Sequence, residues 1–212
     1  MAASGITVAS AASGSEIAFD KYGDASPPTT DQRVQWIGVT AGTTGALAPV
    51  SGANPLPVRS GVVDLISVTL SLDTSAYASG DLLADAQAIA GAVRVSGGSA
   101  ELVSIMVIDE DDQKQSIGLY VTSDSTSWGS ENSAVAVSDA VARSIQAYVP
   151  IITTDYIDLG GVSIAQPRLA QNIGVICEAS GSTSLYVVAV CNSGTPTYTA
   201  SGVRVVFGFK QN

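Results

Sequence analysis

The stretch Val63-Asp-Leu-Ile-Ser-Val-Thr-Leu-Ser-Leu72 alternates apolar and hydroxylic side chains through its second half. A strand turns successive side chains to opposite faces, so Val68, Leu70 and Leu72 share one face while Ser67, Thr69 and Ser71 share the other. This is a half-buried strand whose polar face carries hydroxyl groups rather than charge. The same period-two texture recurs along the chain in short runs separated by Gly, Ser, Thr, Asp and Pro, the pattern of an all-β sandwich or jelly roll. Strands are expected over 16–22, 33–40, 62–72, 90–96, 101–109, 115–122, 162–164, 173–178, 184–191 and 202–210.

One stretch departs from that period. Ser138 precedes Asp139-Ala-Val-Ala-Arg-Ser-Ile-Gln-Ala-Tyr148, where Val141, Ile145 and Tyr148 recur at i, i+4 and i+7. The spacing predicts one short helix, with Ser138 as N-cap, Asp139 favourable in the first turn and Pro150 blocking continuation. A strand over the same residues is the weaker alternative. The first sixty residues differ again, with an Ala/Ser/Gly start, Pro27-Pro28, Ala41-Gly-Thr-Thr-Gly-Ala46 and Asn54-Pro-Leu-Pro-Val58. Paired prolines and Gly-rich loops favour extended segments that build no core of their own. The expected organisation is therefore an extended N-terminal arm over 1–60 and a β-sandwich domain over 61–212; a domain with long N-terminal loops is the alternative.

Composition narrows the chemistry. Of 212 residues, 46% are hydrophobic and 13% charged, about half the usual charged share of ~25%, with Lys+Arg 9, Asp+Glu 19, two Cys and no His. Without His, a Ser-His-Asp or Cys-His catalytic centre cannot form within the chain, and two Cys cannot supply a Cys₄ or Cys₂His₂ zinc site. A net charge of −10 with scattered basic residues argues against a nucleic-acid partner, since phosphate neutralisation needs clustered Lys and Arg. The start, Met1-Ala-Ala-Ser-Gly-Ile-Thr7, lacks a basic segment followed by an apolar one, and no apolar run approaches the ~20 residues that span a bilayer. No membrane partner and no cofactor are expected. Cys177 and Cys191 would be out of register across a hairpin turning near Gly181, so they read as two buried thiols rather than a disulfide.

Three sets of residues are weighed for chemistry. Asp109, Asp111 and Asp112, within Asp109-Glu-Asp-Asp112, are a weak calcium candidate, because Ca²⁺ takes six to eight oxygens; the EF-hand spacing is absent, and a solvated hairpin turn closed by Lys114 is the plainer reading. Asp85, Glu101, Asp155 and Asp158 are the carboxylates from which a glycoside hydrolase would need a facing pair, a reading that is set aside because any acidic sandwich offers such pairs. Trp128, in the polar loop 123–132, is a candidate interface anchor or sugar-stacking platform, against a side chain folded back on the core; Trp36 reads as core or arm packing.

Five ordered segments carry a resemblance. Ser51-Gly-Ala-Asn-Pro-Leu-Pro-Val58, Leu70-Ser-Leu-Asp-Thr-Ser-Ala-Tyr-Ala-Ser-Gly-Asp81, Val107-Ile-Asp-Glu-Asp-Asp-Gln113, Thr154-Asp-Tyr-Ile-Asp-Leu-Gly-Gly161 and Gly194-Thr-Pro-Thr-Tyr-Thr-Ala-Ser-Gly-Val203 resemble segments of tailed-bacteriophage virion structural proteins of the capsid-decoration or head or tail fibre-base type. The resemblance implies a non-enzymatic virion component, made in the host cytoplasm, most of all a decoration or cement protein that stabilises the head shell. The implied partners are the major capsid protein or other virion proteins and further copies of the chain, with a trimer expected. Trp36, Pro55, Leu56, Pro57 and Trp128 are the interface candidates. The alternative is a tail-fibre or receptor-binding module that recognises a host surface glycan through loop 123–132.

Overall fold

The computed structural model describes residues 63–167 and 174–212. The chain divides into two units, Met1–Leu56 and Pro57–Asn212. The arm expected over 1–60, with its strands 16–22 and 33–40, lies outside the described residues.

Ten strands, one turn of α-helix and one 3-10 turn (Thr153–Asp155) are the regular elements of the described chain: β1 (Val63–Thr69), β2 (Leu82–Ile89), β3 (Ser99–Asp109), β4 (Ile117–Thr122), α1 (Asp139–Ala142), β5 (Ile145–Ile151), β6 (Tyr156–Asp158), β7 (Ser163–Ala165), β8 (Val175–Glu178), β9 (Leu185–Cys191) and β10 (Val203–Gln211). They form two sheets in which every pairing is antiparallel. One has the order β1-β10-β3-β7-β6, with β8 also pairing β3; the other has the order β2-β9-β4-β5.

A single apolar layer joins the two sheets. Phe207 and Phe209 of β10 stack with ring centroids 6.0 Å apart, and with Leu102, Ile105 and Val107 of β3 they belong to the same cluster as Leu119, Val121, Val149 and Val187 of the facing sheet. The fold is thus a β-sandwich, each sheet burying one face on the other. Each large side chain so buried contributes on the order of 1.5–3 kcal/mol of hydrophobic stabilisation. In the opening stretch, Val68, Leu70 and Leu72 are buried and Ser67, Thr69 and Ser71 exposed, as the alternation requires.

Three expectations need correction. The helix over 139–148 is a single turn. Ser138 caps it, its side chain accepting from the Val141 N–H, but Arg143 already ends it. Ile145 begins β5, whose Ala147, Val149 and Ile151 point into the core at period two, and Pro150 is tolerated because β5 is the edge of its sheet. The strand expected at 90–96 is instead a turn, with Gly91 at φ 73° and Gly97 at φ 70°, while the strand itself lies earlier, at β2. Ala-rich Leu82-Leu-Ala-Asp-Ala-Gln-Ala-Ile89 lacks the β-branched signature, and its pairing with β9 is broken by two register shifts. The three-residue β6 was not expected; it exists because the turn before Ser163 folds it onto β7.

Candidate interaction surface

The acidic turn is built around a buried carboxylate. Asp109, at the end of β3, is fully buried and accepts hydrogen bonds from the Asp111 N–H at 3.2 Å and the Lys114 N–H at 2.7 Å. Holding both donors on one side chain wraps the chain tightly enough that Asp112 and Lys114 take left-handed backbone angles, φ 55° and 52°. Asp111 turns the other way and accepts from the Thr199 N–H at 2.7 Å and its hydroxyl at 2.9 Å. Lys114 does close the turn, its Nζ lying 3.1 Å from Asp112 and 2.6 Å from Asp158. Asp109 thus serves main-chain donors, Asp111 serves Thr199, and Asp112 shares Lys114 with Asp158; no three acidic or sulfur side chains converge on a point among the described residues. The turn is a junction that fastens β3, β6 and the loop before β10.

Its electrostatics follow from that arrangement. Burial pushes the Asp109 carboxyl above the usual range, and the Lys114 and Asp111 N–H groups pull it partly back. Lys114 holds Asp158 below the usual carboxylate range, and Asp158 with Asp112 raises Lys114 in turn. Ser163, opposite Asp109 in the β3–β7 register, and Tyr198 bury hydroxyl groups without a hydrogen-bond partner.

The four carboxylates considered for hydrolysis are likewise committed separately. Asp85 accepts from the Ser127 hydroxyl at 2.5 Å and the Trp128 N–H at 2.9 Å, Glu101 faces Lys210 at 3.6 Å, Asp155 caps the Ile152 N–H at 3.0 Å, and Asp158 pairs with Lys114. A shallow groove of about 220 Å³ lies among Ser123, Gln146, Glu178 and Ser180. It is below the ~300 Å³ at which small-molecule sites begin.

Trp128 does not face solvent. It is 5% exposed and, with Leu82, Val188 and Val190, forms a second apolar cluster on the outer face of the four-stranded sheet, with Val135, Val137 and Val141 packed against it. Its ring meets Tyr120 at 4.9 Å, and Tyr120 meets Tyr148 at 4.7 Å. The loop beyond β4 is held down by Asp85 and by main-chain bonds from Leu82 to Ser133 (2.8 Å) and from Asn132 to Leu82 (2.9 Å). Of the expected interface residues, Trp128 thus lies inside the fold, and Trp36, Pro55, Leu56 and Pro57 lie outside the described residues.

The six-stranded sheet presents the opposite picture. Register places Val63 beside Lys210, Leu65 beside Gly208, Val206 beside Met106, and Arg204 beside Ile108. The rows continue from Ile108 to Ile164 and Ile157, and from Glu101 to Ile176. All of these point away from the core. Leu65 is 71% exposed, Ile176 66%, Ile157 60% and Val63 50%. No segment among the described residues covers this face. Sequence reasoning missed it, although Val63 and Leu65 occupy the same parity as Ser67 and Thr69, so the face read as hydroxylic becomes apolar at its N-terminal end. No family model, no curated protein and no solved structure matches the chain.

Proposed function

We propose that the protein is a non-enzymatic structural component of a tailed-bacteriophage virion, one that decorates and cements the head shell as a homo-oligomer bound to the major capsid protein. The observation that carries this reading is the apolar outer face of the six-stranded sheet, which no segment among the described residues covers, for a side chain such as Leu65, 71% exposed, gains stability when another surface covers it. The five segments that resemble virion proteins support it, as does the dispersal of the carboxylates over separate structural contacts. The work would be mechanical. Burial across subunits adds free energy that opposes the outward pressure of packaged DNA, and the surplus of acidic groups repels free nucleic acid. A glycan-binding module would need an aromatic platform in loop 123–132, and the indole there is spent on the sheet beneath it.

The test is removal and return. Particles stripped of the protein should lose resistance to heat and osmotic shock and regain it when purified protein is added. Stripped particles as resistant as dressed ones would overturn the cementing role.

A further inference from the structure

We propose that the outer face of the six-stranded sheet is the contact between two copies of this chain, laid face to face about a twofold axis. The inference rests on the reading of the protein as a building block and names the partner of its exposed surface. Three observations lead to it.

The first is how the molecule treats its two outer faces. Over the four-stranded sheet the chain returns on itself and seals Val188, Val190 and Leu82 beneath Trp128. Over the six-stranded sheet no described segment does so, and Val63, Leu65, Ile157 and Ile176 remain at least half exposed.

The second is size. The six strands hold 37 residues. With strands ~4.8 Å apart and ~3.4 Å of rise per residue, each position covers about 16 Å² and the sheet about 600 Å² in plane. Side-chain relief raises the accessible area above that plane, toward the ~800 Å² per partner of a stable interface. The face is therefore large enough for a whole protein surface.

The third is charge. A net charge of −10 sets a general repulsion between copies, but along this face the strongest charges come in cancelling pairs. Arg204 lies 3.3 Å from Glu110 at one end of β10, and Lys210 lies 3.6 Å from Glu101 at the other. Glu178 at the β8 corner leaves only a small excess. Both cations lie on β10 and both carboxylates on β3 or just beyond it, so a twofold axis running along the strands between β10 and β3 lays the β10 of one copy over the β3 of the other and sets opposite charges over one another. The remaining exposed large apolar residues among those described, Val95, Ile152 and Leu159, lie outside the strands. Apolar surface is thus best matched by the same face of another copy, which is the isologous twofold arrangement, not the ring expected for a trimer.

Sedimentation equilibrium of the full chain at micromolar concentration tests this. The expected mass is twice the 21.4 kDa of the chain. The double variant Leu65→Lys, Ile176→Lys should fall to the mass of one chain while keeping the wild-type β circular dichroism, because both side chains point to solvent in the subunit. Ile152→Lys, off this face, should leave the mass doubled. A wild-type mass of one or three chains, an unchanged mass in the double variant, or dissociation by Ile152→Lys would each overturn the assignment; a single-chain mass would include the case in which residues 1–62 cover the face. The measurement uses no particles, so a protein that pairs but does not restore stripped capsids would fail the cementing role and leave this contact standing.

Discussion

At the scale of single residues, Asp109 has the most consequential position. Its buried carboxylate holds two main-chain donors, so Asp109→Ala strands both N–H groups and should cost about 1–3 kcal/mol in chemical denaturation. The pH dependence has a definite sign. Burial raises this carboxyl, so the folded protein takes up its proton at a higher pH than the unfolded chain, and the charged form is a cost at neutral pH that acidification removes. Relative to wild type, Asp109→Asn should therefore become less destabilising as pH rises from about 4 toward 7. Lys114 and Asp158 act in the opposite sense. Asp158 is lowered, so its contribution is present above the ordinary carboxylate pKa and lost as pH falls through the lowered value; Lys114 is raised, so its contribution is present below the ordinary lysine value and lost as pH climbs past the raised one. Neighbouring Gly202 is required by space. A Cβ there would run into the Asp111 carboxylate and Thr199, so Gly202→Ala should loosen the Asp111–Thr199 contact and lower stability by about 1 kcal/mol. Burial pushes the Cys177 thiol up to about 11, and Cys177 and Cys191 are both buried and free. Thiol reagents at pH 8 should label neither in the native protein and both after denaturation.

Among the elements, the loop carrying Trp128 is the one whose role the structure changes most. A polar-looking connection proves to be a cover, because one indole and three valines reach the sheet while Ser, Thr and Asp supply the turns around them. Trp128→Ala should cost about 3–5 kcal/mol, as for other buried aromatic truncations, and Trp128→Phe distinctly less. A melt of the two variants beside wild type checks this. How far such elements are legible in sequence depends on how strongly one face is specified. Val68-Thr-Leu-Ser-Leu72 and β10 declare themselves by alternation, and β9, Leu185-Tyr-Val-Val-Ala-Val-Cys191, by a nearly unbroken apolar run, since it is central and covered on both faces. β2 is hidden by its alanines and its register shifts. In β5 the apolar residues satisfy both periods over a short span: Val141, Ile145 and Tyr148 fit a helix, while Ile145, Ala147, Val149 and Ile151 fit a strand, and pairing with β4 decides the matter. The outward face of Val63 and Leu65 stayed illegible for another reason. Alternation reports that a strand has two faces, but not that both are apolar at one end.

For the whole molecule, the missing histidines, the low charge and the three covered sheet faces fit the contact role proposed above. The fourth, the outer face of the six-stranded sheet, which no described segment covers, is where that contact is expected. Self-association draws on this face, and attachment to a shell then falls to the surface of the pair. The most direct measurement is a cryo-electron-microscopy map of intact particles that contain the protein. The account predicts two-sheet β density on the outside of the head shell, absent from particles assembled without this chain. Density at the tail tip with a bare shell would contradict it.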